Sequence, residues 1–66
     1  MEETKVLNHL VSELKEREQS LLQSLGDGAA TDYAAYREVC GNIRGLLFAQ
    51  NLIFDLARKL EKFENE

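Results

Sequence analysis

From residue 32 to residue 64 the chain runs without proline, and its apolar residues recur at helical spacing on two sides rather than one. Projected at about 100° per residue, Tyr36, Val39, Cys40, Ile43, Leu46, Leu47, Phe54 and Ala57 gather on one side. Gly41, Gly45, Phe48, Leu52, Leu56 and Phe63 gather on the opposite side, with Ala49 and Ile53 towards the flank. A helix that is apolar on two sides is a buried helix, and one neighbour covers only one of those sides. Whatever this chain folds into has to answer for the second.

The rest of the sequence supplies one neighbour. Residues 3–25 place Leu7, Leu10, Val11, Leu14, Leu21, Leu22 and Leu25 at intervals of three and four, a single stripe interrupted by the polar run KEREQS at residues 15–20. Glu2 and Glu3 suit a helix N-terminus, and Glu13 with Arg17 forms an i, i+4 pair. The segment GDGAATD, residues 26–32, separates the two helical stretches. Gly26 is expected to end the first helix in the left-handed conformation, Gly28 to loosen the turn, and Thr31 or Asp32 to cap the second helix.

A connection this short favours antiparallel neighbours. The expected fold is an all-α antiparallel helical hairpin, one domain over residues 1–66, with a helix at 3–25, a turn at 26–31 and a longer helix at 32–64. At 1.5 Å per residue the helices span roughly 35 Å and 50 Å. Residue 3 then lies level with about residue 54, and Leu56, Leu60 and Phe63 project past the first helix in need of another partner.

A domain of 66 residues is marginal unless something reinforces it. Cys40 is the single cysteine, so no intrachain disulfide forms, and no Cys/His spacing suggests zinc. Oligomerisation or docking on a larger complex is the remaining common remedy. Twelve acidic residues against eight basic give a net charge of −4, opposite in sign to most nucleic-acid binders. The opening residues lack the pattern of a signal peptide and no apolar run approaches the roughly 18 residues that cross a bilayer. The expectation is a reduced, intracellular protein, neither secreted nor transmembrane.

Chemistry finds little purchase. His9 is the single histidine and has no ligand partner at metal spacing, and Cys40 has no base beside it and reads as a small core hydrophobe. GDG lacks the lysine and the preceding strand of a phosphate-binding loop. No enzyme activity, cofactor, metal or small-molecule substrate is expected. Tyr33 and Tyr36 are expected to anchor the turn end of the hairpin.

The second side is the candidate protein interface, made of Gly41, Gly45, Phe48, Ala49, Leu52, Leu56 and Phe63. Gly41, Gly45 and Ala49 form a small-xxx-small series that lets a backbone approach closely. That backbone belongs either to the first helix, crossing tightly, or to another subunit or partner; the third reading is that the glycines mark a kink or break in the helix. Between the two apolar sides runs a polar strip of Arg37, Arg44, Asn51, Asp55, Arg58 and Lys62. It is either a solvated edge whose arginines pair with Glu13, Glu16 or Glu18, or a contact for an acidic partner, with Arg37, Arg44, Arg58 and Lys62 as its cations. Asn42, on the other margin, is a candidate register-setting group.

Residues 36–60 carry Tyr36 shortly after the turn, the core Gly41, Ile43, Arg44, Gly45, Leu46, and the pair Asp55, Leu56. In these features the segment resembles the C-terminal half of small helical-hairpin proteins encoded in the structural gene blocks of tailed bacteriophages. The resemblance implies a virion or virion-assembly component that binds other structural subunits, itself included, in the virion or the host cytoplasm. Two other readings of the same residues are a small regulatory protein that inhibits an enzyme through the second face, and a nucleic-acid accessory using Arg37, Arg44 and Arg58.

Overall fold

Two long helix-forming segments separated by one glycine-bearing break leave the chain few ways to fold. The structure, a computed structural model, describes residues 2–64, except for the side chains of 63 and 64. It contains α1, Glu2–Gly26, and α2, Tyr33–Glu64, paired as an all-α antiparallel hairpin.

The turn is built by backbone geometry two residues later than the sequence suggests. Gly28, not Gly26, takes the left-handed conformation, with φ at 83°. Around it the Ala29 amide donates to the Ser24 carbonyl at 3.0 Å and the Gly28 amide to the Leu25 carbonyl at 3.1 Å. This is the paired arrangement of a Schellman cap, which satisfies carbonyls that the helix end would otherwise leave open. Gly26 stays helical because Gly28 does the reversing. Asp32 rather than Thr31 caps α2, its Oδ1 accepting from the Ala35 amide at 2.8 Å.

Pairing follows a stricter repeat than the broad stripes of the sequence suggest. Along α1 the covered positions Thr4, Leu7, Val11, Leu14, Glu18, Leu21 and Leu25 alternate by three and four, with Ser24 also half-buried beside the last of them. On α2 the same alternation runs through Val39, Ile43, Leu46, Gln50, Ile53, Ala57 and Leu60. Such a seam of period 3.5 is the packing of antiparallel coiled-coil helices. It selects a narrower side of α2 than expected. Ile53 belongs to the seam and not to a flank, whereas Tyr36, Leu47 and Phe54 are exposed. Broad apolar stripes overstate what one neighbour covers, because a single helix reaches only the positions that point directly at it.

Three seam positions are polar: Thr4, Glu18 and Gln50. Gln50 is 4% exposed and its Nε2 donates to Glu18 Oε1 at 2.9 Å, joining the helices across the seam. Leu60 is half-buried rather than projecting bare, so the expected overhang begins later than residue 56. Near the other end, Thr4 Oγ1 is buried and has no hydrogen-bond partner.

The hairpin is a rod of 52 × 15 × 11 Å. Among the described residues the sole buried apolar side chain is Val11, at 5% exposure. The chain exposes 5307 Å², whereas a compact monomer of its mass would expose about 4,200 Å². Two helices in one layer make a seam but no interior.

Candidate protein-interaction face

The side of α2 turned away from α1 is apolar along its middle. Phe48 is 67% exposed, Leu52 55% and Leu56 48%. Ala49 is half-buried between this side and the seam, and the side chain of Phe63 lies outside the described residues. Upstream on the same side stand Gly41 and Gly45, both exposed. A Cβ built at either would meet nothing within 4 Å. The tight crossing of the first helix over these glycines, one of the three alternatives open in the sequence, does not occur, and α2 runs unbroken through both of them. α1 packs elsewhere, on the Val39, Ile43, Leu46 side.

Where the glycines leave α2 thin, a groove of about 500 Å³ opens towards α1, lined by Arg17, Ser20, Leu21, Gly41, Asn42, Gly45 and Leu46. Asn42 therefore stands at the groove and not in the seam. The group that spans the seam is Gln50. The spacing of residue 50 in the 3.5 repeat could have found it, but a polar residue in an apolar series is easily taken for a boundary.

The polar strip is a solvent edge in this hairpin. Arg37, Arg44, Arg58 and Lys62 are exposed. Arg58 is held by Asp55 three residues earlier, an exposed ion pair that contributes little to stability. Glu18, one of the carboxylates expected to receive an arginine, is instead occupied by Gln50. His9 pairs with Glu13 at 3.4 Å on the outer side of α1.

At the turn end Tyr33 and Tyr36 stack on one another with centroids 6.3 Å apart, and both are exposed. They form a surface pair, not the anchor that their sequence position suggests. The Tyr36 phenol is pushed above its ordinary value, first by its hydrogen bond to the Cys40 side chain and then by that group's charge. Cys40 is a free, half-buried thiol. Among the described residues no group of three or more His, Cys, Asp or Glu could hold a metal ion, and no helix is long and apolar enough to cross a membrane.

Fold and face together define an all-α helical hairpin with one helix half covered and an open apolar side. No family model, no curated protein and no solved structure matches the chain.

Proposed function

We propose that this hairpin is a non-enzymatic interaction protein that binds protein subunits through the far side of α2. The observation that carries the reading is the exposure of Phe48, Leu52 and Leu56 on a side that α1 does not reach. Apolar area contributes about 25 cal/mol per Å² when removed from water. Contiguous exposed patches of this kind mark binding surfaces in small proteins. The scarcity of buried apolar side chains among the described residues points the same way, because a two-helix layer gains a core only when a further surface covers one of its open sides.

The finer assignment, to a virion or virion-assembly complex of a tailed phage, draws on the resemblance in residues 36–60. It predicts that the chain is retained in purified particles. An inhibitor of an enzyme would use the same face, and the identity of the bound protein separates the two.

The interaction reading is tested by placing a photo-crosslinking amino acid at Leu52 in cells that make the chain, with the exposed outer position Glu16 of α1 as control. A defined protein adduct from position 52 and none from position 16 is the expected result. Uncrosslinked chain alone from position 52 would remove the reading.

A further inference from the structure

The order of residues on the open side of α2 is small, small, large, large: Gly41, Gly45, Phe48, Leu52. All four lie within about 60° of one another at 3.6 residues per turn. A two-fold axis placed midway between residues 45 and 48, at right angles to the helix, sets Gly45 opposite Phe48 of a second copy and Gly41 opposite its Leu52. Each copy then offers two large side chains to the two positions where the other has no side chain. A surface in which i meets j while j meets i is the requirement for an isologous dimer.

Charge agrees with this register. Arg37 and Asp55 stand eighteen positions apart, five full turns, and so occupy the same edge of α2. In an antiparallel pair, like edges face each other. The same two-fold axis brings Arg37 to within one residue of level with Asp55 of the second copy, and does so twice. In a parallel pair the two edges would lie on opposite sides of the contact, and Arg37 and Asp55 would not meet.

Area agrees as well. The chain exposes about 1,100 Å² more than a compact monomer of its mass. A standard interface removes about 800 Å² from each partner.

We infer that the open face of α2 binds a second copy of this chain, α2 against antiparallel α2, with Phe48 and Leu52 seated over Gly45 and Gly41 of the second copy. The inference rests on the interaction reading above and names its partner. In the dimer the two α2 helices form the centre and the two α1 helices the outer layers. The groove beside Gly41 and Gly45 lies at the margin of this contact.

The test is the mass of the full chain by sedimentation equilibrium, with helicity followed by circular dichroism. Wild type should reach twice the 7.5 kDa of one chain as concentration rises. Gly45→Leu should remain at the single-chain mass with its helicity intact, since a side chain there meets nothing within the hairpin. Phe48→Ser should do the same, and it decides the matter alone if Gly45→Leu does not fold. Arg37→Asp and Asp55→Arg should each raise the dimer dissociation constant about tenfold, and the reversed pair should bring it back, as for two exposed ion pairs per dimer.

A wild-type chain that stays at single-chain mass overturns the inference. So does a dimer that Gly45→Leu and Phe48→Ser leave unchanged, or a reversed pair no tighter than the single variants. None of these results touches the broader interaction reading, which fails only if crosslinking from position 52 finds no protein.

Discussion

Gln50 donates to Glu18 across the seam between α1 and α2, at 2.9 Å and nearly out of reach of water. The amide nitrogen of Gln50 is the donor and the Glu18 oxygen the acceptor, which fixes the way the amide is turned. Apolar layers slide past one another at little penalty, whereas this pair is satisfied in one alignment only. It holds the register of the hairpin in the way that a single buried polar position does in other helical pairs.

Removing one member should therefore hurt more than removing both. Gln50→Leu should lower stability by about 1–2 kcal/mol, because Glu18 is left half-buried without its donor. Glu18→Leu with Gln50→Leu should recover that loss and exceed wild type, since a matched apolar pair fills the same space. Urea unfolding of wild type and the two variants measures both values, and a Gln50→Leu protein more stable than wild type would show that the pair does not hold the register.

Thr4 should be an easy position to improve. Its hydroxyl is buried without a partner, and Thr4→Val keeps the shape while removing the unmet oxygen. A gain of about 1 kcal/mol is expected in the same unfolding assay.

The turn separates its two glycines. Gly28→Ala should cost about 1 kcal/mol, because φ at 83° is strained for any residue with a Cβ. Gly26→Ala should stabilise instead, since residue 26 is helical and a Cβ there meets nothing within 4 Å. Asp32→Ala should lose about 1 kcal/mol with the cap on Ala35. Thermal melts of the three variants rank them, and equal losses at 26 and 28 would remove the cap described here.

Tyr36 provides a pH signature. Its phenol is held above the ordinary 10.0 by Cys40, so the folded chain favours the neutral form. The associated stabilisation is fully present below that ordinary value and disappears as pH rises through the higher folded one. In a Tyr33→Phe background, near-ultraviolet titration should place Tyr36 above the free phenol, and Cys40→Ala should bring it down. An unchanged titration after Cys40→Ala would show that the thiol is not the cause.

Much of the fold was legible in the order of residues. Two helices, their break at the glycines and an antiparallel pairing follow from apolar spacing and turn chemistry, which are local. What was hidden lies in the seam. Glu18 falls in the polar run KEREQS, and Gln50 sits among Phe48, Ala49, Leu52 and Ile53. Each looks like a surface residue until it is seen that the other stands across from it, and that relation is not local. Leu47 and Phe54 misled in the opposite direction, because hydrophobicity says that a residue gains from cover without saying which neighbour supplies it. The open side of α2 was legible for the converse reason. Phe48, Leu52 and Leu56 cannot share an azimuth with the seam whichever neighbour fills it.

A body built on a backbone 52 Å long and 15 Å or less in its other dimensions drags through solvent more than a sphere of its mass. On a sizing column calibrated with globular standards, the single hairpin would elute early, at the position of a protein well above 7.5 kDa. Elution volume alone would then report a pair where there is one chain. Doubling α2 against α2 thickens the rod more than it lengthens it, so the frictional ratio should fall on association. Shape and mass move in opposite senses, and the pair of them, read together in one velocity run, tells a lone hairpin from two.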